Sequence, residues 1–237
     1  MKLIGITGKS GSGKTTLSNM IAEKEKVGVI HTDELLDRIK QDNILQVMEC
    51  DNKGEPVSLK KGIIKFLYSN KYMFLLYIKM KGILLNRIIK DKIQELEIQG
   101  NDIIVIEGVH LRYYPIFKEL DKRIILQREY IKRQESVLLR DKDKKVDKET
   151  FVMWDMPYKR SYYREKMQDY DYKIYNSSKQ KLKQEADNIY KEMSIVTEKE
   201  RRRQHFKKYE CKVPTIGISY NNRNQERRRE CKDHETR

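Results

Sequence analysis

Residues 8–15 read GKSGSGKT, with glycines at Gly8 and Gly13 and the pair Lys14 and Thr15 directly behind them. This is the spacing G-x-x-x-x-G-K-[ST] of a phosphate-binding loop. The motif constrains the fold strongly, because such a loop works where a strand leads into it and a helix begins at its end. The residues on either side should therefore carry strand and helix patterns.

Both flanks carry the expected pattern. The loop is preceded by Lys2–Thr7, an apolar strand-like run with the sequence KLIGIT. It is followed by Thr16–Glu25, which places Leu17, Met20 and Ile21 on one face of a helix. Strand, glycine loop and helix in this order indicate a nucleotide-binding α/β domain.

The loop predicts a bound nucleoside triphosphate with Mg²⁺. Glycines let the backbone wrap closely around phosphate oxygens, and the N–H groups of the loop and of the helix N-terminus then point at the anion. Lys14 is expected to reach the β- and γ-phosphates, and the Thr15 hydroxyl to ligate Mg²⁺. The expected nucleotide-binding residues of the loop are Gly8, Ser10, Gly11, Ser12, Gly13, Lys14, Thr15 and Thr16.

Apolar runs alternate with helical patterns along the chain. The predicted strands are Lys2–Thr7, Val27–His31, Asp102–Glu107, Arg123–Leu126 and Tyr172–Tyr175. This alternation predicts an α/β fold, with a parallel sheet that has helices on both faces. Ligands of such sheets bind beyond the carboxyl ends of the strands, so the informative side chains should follow the strands.

Two segments depart from this alternation. Residues 58–98 are predicted to form a long helical insertion, with Gly62 and Gly82 as expected breaks; its apolar positions are Ile63, Phe66, Leu67, Leu75, Leu84, Ile88 and Ile93. The segment Lys179–Ile195 is predicted to be the last helix of a domain covering residues 1–197. Residues 198–237 hold 13 basic and 7 acidic residues, and we expect a disordered or loosely helical tail there.

Two carboxylates follow neighbouring strands. Asp33 comes just after the second strand, where it could accept a proton from an acceptor hydroxyl. Capping of the next helix is its alternative role. Glu107 ends the third strand, and we expect it to hold Mg²⁺ together with Thr15. A solvated strand end is the alternative interpretation of Glu107.

Basic residues follow the fourth strand and predict a lid over residues 130–150. Arg133 and Arg140 are seven residues apart and share a helical face, and Lys142, Lys144 and Lys145 come next. An arginine on a mobile segment can stabilise the charge of a phosphoryl group in transfer, and Arg140 is the main candidate. A solvated charged helix is the alternative.

Three more residues complete the expected site. His110 and Arg112 follow the Glu107 strand and are candidates for binding the phosphate acceptor. Asn176 follows the fifth strand, at the edge where the nucleotide base is expected. For all three, an ordinary loop residue is the competing interpretation.

Composition narrows the setting. The chain has 51 Lys and Arg against 36 Asp and Glu, for a net charge of +15. Nucleic acid is thus one conceivable partner, but a phosphate-handling enzyme also benefits from positive potential and is favoured. Three cysteines without a paired motif indicate a reducing compartment. The most apolar stretch, Tyr72–Ile78, is too short to span a bilayer, and we expect a cytoplasmic protein.

Taken together, the motifs resemble a known family. The chain is similar to the small-molecule kinases of the phosphate-loop superfamily, and within them to dephospho-coenzyme A kinases and uridine kinases, through MKLIGITGKSGSGKTTLSNMIAE, IHTDELLDRI, VIEGVHL, Arg133 with LLRD, and YDYKIYNSS. The resemblance covers about residues 1–197. It implies ATP as donor, Mg²⁺, a parallel sheet of order 2-3-1-4-5, Asp33 as the acceptor-side base and an arginine lid around residues 133–145.

The acceptor stays open. Dephospho-coenzyme A kinases usually carry His-Pro before the third strand, which Gln94–Asp102 lacks, and Lys144-Lys145 stands where uridine kinases usually carry Arg-Gly. A dephospho-coenzyme A kinase-like enzyme leads, followed by a nucleoside or nucleoside-monophosphate kinase, and then by a nucleic-acid-associated ATPase or polynucleotide kinase. A regulatory GTPase is disfavoured because the chain has no Asn-Lys-x-Asp, and a transporter-type ATPase because it has no Leu-Ser-Gly-Gly.

Overall fold

A parallel sheet of five strands organises the molecule. The structure is a computed structural model that describes residues 1–35, 70–141, 146–159 and 167–210. The strands are β1 (Lys2–Thr7), β2 (Val27–His31), β3 (Ile103–Glu107), β4 (Lys122–Gln127) and β5 (Tyr172–Tyr175). They pair in the order β2-β3-β1-β4-β5, and all four pairs are parallel. The predicted fold class and strand order are confirmed.

Helices cover both faces of the sheet. They are α1 (Lys14–Ala22), α2 (Lys71–Ile98), α3 (Tyr130–Arg140), α4 (Lys148–Lys159) and α5 (Lys179–Glu210). Short 3₁₀ turns lie at Leu111–Tyr113, Pro115–Glu119 and Met167–Asp169. The chain divides into two units, Met1–Thr197 and Glu198–Arg237, and the sheet belongs to the first.

The apolar core has two layers, one on each face of the sheet. Strand β3 contributes to both, because its side chains alternate: Ile104 and Ile106 face the layer of α2, and Ile103 and Val105 face the layer of α1 and α5. All five residues of β3 are buried. A strand covered on both faces carries a nearly continuous apolar run. The apolar run Ile103–Ile106 was visible in the sequence for this reason.

Helix α2 differs from its prediction. It runs without a break through Gly82, whose Cα packs so closely on Tyr114 that an added Cβ would lie 2.5 Å from the ring. Glycine here permits close packing, and the expected break at Gly82 was wrong. Of the predicted apolar positions, Ile93 is buried but Leu84 is 47% exposed. The buried stripe consists of Phe74, Ile78, Leu85, Ile89, Ile93 and Leu96. Residues 58–69, including Gly62, lie outside the described residues.

Helix α5 extends beyond its predicted end at Ile195 and reaches Glu210. An apolar stripe is buried in its first half, at Leu182, Ala186, Ile189 and Met193. The Ser178 hydroxyl accepts a hydrogen bond from the backbone N–H of Lys181 at 3.2 Å and caps the start of the helix. The extension contains no glycine or proline and is rich in Glu, Lys and Arg, which are good helix formers. The tail beyond residue 210 lies outside the described residues.

None of the helices within the described ranges has the length and apolar character needed to cross a lipid bilayer.

Candidate functional site

The glycine loop connects β1 to α1 at the carboxyl edge of the sheet. Gly11 and Gly13 adopt left-handed backbone conformations, with φ of +74° and +100°. Both are also crowded: a Cβ on Gly11 would lie 2.4 Å from the Arg133 carbonyl oxygen, and one on Gly13 would lie 2.5 Å from the Asn176 amide nitrogen. Glycine is therefore required twice over, by backbone angle and by space. Helix α1 begins at Lys14, so its N-terminus lies at the end of the loop.

Lys14 is buried at the base of this loop. Only 7% of the residue is exposed. Burial lowers the pKa of Lys14, while the charges of Glu107 and Asp33 act in the opposite direction. A buried cation whose neighbours include two carboxylates and two arginines, Arg140 and Arg133, lies where several predicted site residues meet. Such a cation is stabilised further by an anionic ligand.

Glu107 joins two other residues through one carboxylate oxygen. Its Oε1 accepts hydrogen bonds from the Thr15 hydroxyl at 3.2 Å and from Nδ1–H of His31 at 3.1 Å. Its Oε2 is buried and has no hydrogen-bond partner among the described residues. Burial acts to raise the pKa of Glu107, but the His31 hydrogen bond and the Lys14 charge outweigh it, and the pKa lies below its usual range. The predicted pair of Thr15 and Glu107 is therefore in direct contact.

This pair suits a divalent cation. A buried carboxylate oxygen without a partner, beside a hydroxyl, offers two oxygen ligands of the kind that Mg²⁺ prefers. Within the described parts of the chain, no group of three or more His, Cys, Asp or Glu side chains could hold a metal ion. A cation bound at Thr15 and Glu107 would thus complete its shell with water and ligand oxygens, as Mg²⁺ does beside phosphates.

Two cavities open at this edge of the sheet. The larger, of about 930 Å³, is lined by Gly11, Gly13, Lys14, Thr15, Thr16 and Glu107, among others. The smaller, of about 220 Å³, is lined by Ser10, Val109, His110, Arg133 and Phe151, among others. Four residues line both: Asp33, Lys81, Arg140 and Trp154. The predicted base and the predicted lid arginine therefore lie where the two cavities meet.

The two predicted arginines have different environments. The Arg140 side chain is 59% exposed and pairs with Asp141 at 2.6 Å, a hydrogen bond that raises the pKa of Arg140. The Arg133 side chain is 4% exposed and pairs with Asp155 at 2.8 Å. Arg140 is thus placed to meet a ligand, whereas Arg133 is buried in the wall of the smaller cavity. Lys142, Lys144 and Lys145 lie outside the described residues.

Asn176 supports the loop from within the protein. Its side-chain amide donates to the backbone carbonyl of Ser12 at 2.8 Å, and the residue is 6% exposed. It borders neither of the two cavities described above. The geometry therefore favours a role in shaping the loop over the expected contact with a nucleotide base.

The two residues predicted to bind the acceptor, His110 and Arg112, lie in different places. His110 lies partly buried in the wall of the smaller cavity, with its ring edge-on to Phe74 at 5.7 Å between centroids. Burial, with the charge of Lys81 as a second cause, holds the pKa of His110 well below 6.5. Arg112 pairs with Asp169 at 2.7 Å and borders neither cavity. The structure thus places His110 at the site and Arg112 away from it.

Four residues of the site were missed in the sequence. Arg128 lies just beyond β4 and donates to Ser136 Oγ at 2.8 Å and to the Gly11 carbonyl at 3.4 Å. His31 is the last residue of β2. Both lie at strand ends, so the rule that located Asp33 and Glu107 would have found them. Lys81 and Trp154 come from the middle of helices α2 and α4, where no sequence signal marks them.

Comparison with known proteins supports the fold. No family model matches the chain, and no curated protein does. Among solved structures, TT1252 from Thermus thermophilus superposes with a TM-score of 0.58 at 16% identity, covering 79% of this chain and 95% of that one. Dephospho-CoA kinase from Campylobacter jejuni gives 0.44 at 18% identity, covering 81% and 97%. Shikimate kinase from Acinetobacter baumannii, in complex with shikimate, gives 0.45 at 15%, covering 80% and 90%. The likeness to TT1252 supports the overall fold of this chain, and at such identities none of the three assigns a reaction to it.

Proposed function

We propose that this chain is an ATP-dependent kinase that transfers the γ-phosphate to a hydroxyl of a small metabolite. One observation carries the proposal: Asp33 and Arg140 border both the cavity of the phosphate loop and the smaller cavity beside it. A carboxylate and an arginine at the junction of the two cavities are suited to the transfer of a phosphoryl group from a donor in the larger cavity to an acceptor in the smaller one. An NTPase that only hydrolyses would not require the second cavity.

The donor side holds the triphosphate. The loop N–H groups and Lys14 bind the phosphate oxygens, and the N-terminus of α1 adds its dipole. Thr15 and the buried Oε2 of Glu107, which has no hydrogen-bond partner among the described residues, would hold Mg²⁺. A cation held there would neutralise part of the negative charge of the phosphates. Arg140 stabilises the negative charge on the phosphoryl group during transfer, as an exposed arginine near the junction can.

The acceptor side places a hydroxyl against Asp33. The Asp33 carboxylate accepts the proton of that hydroxyl as its oxygen bonds to the γ-phosphorus, while the bond from the γ-phosphorus to the bridging oxygen of ATP breaks and ADP leaves. The same cavity is lined by His110, kept neutral by burial, and Lys81. A neutral imidazole can exchange hydrogen bonds with an acceptor without adding charge. We place this activity in residues 1–197, with residues 198–237 dispensable for it.

A phosphate-transfer screen tests the proposal. The full-length protein is given ATP and Mg²⁺ with dephospho-coenzyme A, nucleosides, nucleoside monophosphates or a 5′-hydroxyl oligonucleotide. Transfer to dephospho-coenzyme A would support the leading substrate class, and transfer to a nucleoside or nucleotide the second. Transfer to the oligonucleotide alone would move the assignment to a polynucleotide kinase. ATP hydrolysis that no acceptor accelerates would contradict a kinase with a metabolite acceptor.

A truncation after Thr197 tests whether residues 198–237 are dispensable for the metabolite kinase activity. If residues 198–237 serve another purpose, the shortened protein keeps its metabolite kinase rate. Loss of that rate with retained folding would show that the tail takes part in catalysis. Thermal unfolding of both proteins, followed by circular dichroism, controls for loss of fold, because the truncation itself removes the helical residues of α5 beyond Thr197.

A further inference from the structure

Arg133 connects three separate segments of the molecule. Its Nη1 donates to the Ser10 carbonyl oxygen of the phosphate loop at 3.2 Å, and its Nη2 to Asp155 Oδ1 of helix α4 at 2.8 Å. Its own backbone belongs to α3 and packs so closely on Gly11 that an added Cβ there would lie 2.4 Å from the Arg133 carbonyl oxygen. The guanidinium also lies 5.6 Å from the ring centroids of both Tyr130 and Phe151. Helix α4, helix α3 and the loop therefore meet at one side chain.

These contacts occupy the guanidinium. Two donor arms are engaged, two aromatic rings lie close to it, and the side chains of Arg133 and Asp155 are 4% and 3% exposed. An arginine held in this way does not suit the role of a lid residue that moves onto a phosphate. Its planar fork instead bridges two acceptors in a fixed geometry, which a lysine ammonium does not reproduce.

Helix α4 also carries Trp154, the residue directly before Asp155. Trp154 is the single tryptophan of the chain, and it borders both cavities. The position of α4 therefore decides the shape of the junction between the cavities. We propose that Arg133 and Asp155 form a clasp that positions α4 and Trp154 against the phosphate loop. In this assignment Arg133 and Asp155 are positioning residues, and Arg140 is the arginine that meets the ligand.

The clasp restrains both the phosphate loop and helix α4. The bond to Ser10 restrains the loop backbone next to Gly11, and the bond to Asp155 restrains the wall that bears Trp154. A phosphate bound to the loop would thus find both already in place. The inference rests on the proposed donor site for its effect on nucleotide binding, but the position of Trp154 can be measured in the protein without nucleotide.

Variants of the full-length chain separate positioning from stability. Asp155→Asn weakens the ion pair and leaves a buried cation without its charge partner, which lowers the melting temperature. The double variant Arg133→Met with Asp155→Leu replaces the pair by apolar side chains, a change that often preserves folding stability. It keeps the fold but removes the bond to Ser10. Asp169→Asn is the matched control, since it weakens an ion pair that borders neither cavity.

Two measurements are made on each folded variant. Acrylamide quenching of Trp154 fluorescence reports its accessibility without nucleotide, and titration with Mg²⁺ and the ATP analogue AMP-PNP reports the donor site. In the double variant we expect steeper quenching and an affinity for AMP-PNP weaker by about tenfold, as for the loss of one charge-assisted hydrogen bond that orders the loop. The Asp169→Asn control should match the wild type in both.

The outcomes are distinguishable. Wild-type quenching and affinity in a stable double variant would overturn the clasp and leave Arg133 and Asp155 a purely structural pair. Should the double variant fail to fold, Arg133→Lys replaces it, since a lysine keeps the charge but loses the bridge; wild-type values there would also overturn the proposal. If wild-type protein does not bind AMP-PNP, the proposed function fails, while changed quenching still supports the clasp.

Discussion

The donor and acceptor sides of the site are built in different ways. The donor side comes from consecutive residues of the loop and from the ends of neighbouring strands, where Thr15 and Glu107 meet at 3.2 Å. The acceptor side comes from residues far apart in the chain: His110 after β3, together with Lys81 on α2 and Trp154 on α4, which also border the donor cavity. One side is fixed by local sequence and sheet geometry, and the other by how separate helices pack.

Because the two sides are built differently, substitutions on them should have different effects. Changes on the donor side should act on the phosphate contacts one residue at a time. Changes on the acceptor side should act through the packing of helices as well as through contacts with a ligand. Substitutions on the two sides test this contrast, and the largest effect is expected at the phosphate loop.

Lys14→Ala should reduce phosphate transfer by at least about a thousandfold, because the cation that binds the β- and γ-phosphates is lost. The melting temperature should hold or rise, since burial of the lysine disfavours its charged form. Steady-state rates and thermal unfolding measure the two effects. Lys90→Ala, at an exposed ion pair with Glu119, serves as the control. Turnover near the wild-type rate would show that the loop of residues 8–15 is not the site that binds the ATP phosphates.

Asp33→Asn should lower kcat by about a hundredfold or more, within the usual range for loss of a general base. Affinity for AMP-PNP should change little, since the carboxylate acts on the acceptor hydroxyl. The neighbouring Glu34→Gln is a matched control, because Glu34 borders the larger cavity but not the smaller one. Equal losses of kcat and nucleotide affinity in Asp33→Asn would assign Asp33 to the donor side and weaken the contrast.

Glu107→Gln should raise the Mg²⁺ concentration for half-maximal transfer by about tenfold, as expected when one carboxylate ligand becomes neutral. The amide oxygen can still accept from Thr15, so the fold should persist. Magnesium titrations at saturating ATP measure the shift, and excess EDTA should abolish transfer in the wild type. An unchanged magnesium requirement would show that Glu107 only anchors Thr15 and His31.

Much of the fold was readable from the sequence for a physical reason. The bounds of β1, β2 and β5 were predicted to the residue. Strand β1 has four consecutive buried residues and carries the apolar run of a strand covered on both faces, whereas the edge strand β5 buries only Ile174. Helix α2 was harder, because apolar residues occur on more than one of its sides. Leu84 is 47% exposed whereas Leu85 is buried, and periodicity alone did not select between them.

Sheet geometry and helix packing also decided which residues of the site could be predicted from the sequence. Asp33 and Glu107 were found because strand ends converge at one edge of a parallel sheet. Arg133 was assigned to a lid because a charged residue after a strand looks the same in sequence whether it faces solvent or Asp155. The identity of its partner, 22 residues away, depends on how α4 packs on α3. Tertiary packing of this kind leaves no periodic trace.

The smallest effect is one of stability and concerns His110. Burial holds the folded-state pKa of His110 well below its unfolded value of about 6.5, and the charges of Lys81 and Lys14 act in the same direction. The unfolded chain therefore binds a proton at a pH where the folded protein does not. The free energy of unfolding should be fully retained above about pH 6.5 and should fall by up to about 1.4 kcal/mol per pH unit below it. In His110→Gln this component of the slope should disappear.

Urea unfolding of both proteins at several values of pH between about 5 and 8 measures the slope. Phe74→Leu is the matched control, because Phe74 packs against the same ring but does not titrate. It should lower stability by a similar amount at every pH and keep the wild-type slope. A wild-type slope in His110→Gln would mean that the pKa of His110 is the same in the folded and unfolded states. The acceptor wall would then gain a cation at this position as the pH falls below about 6.5, and the phosphate-transfer screen repeated in acid should show a shift toward anionic acceptors.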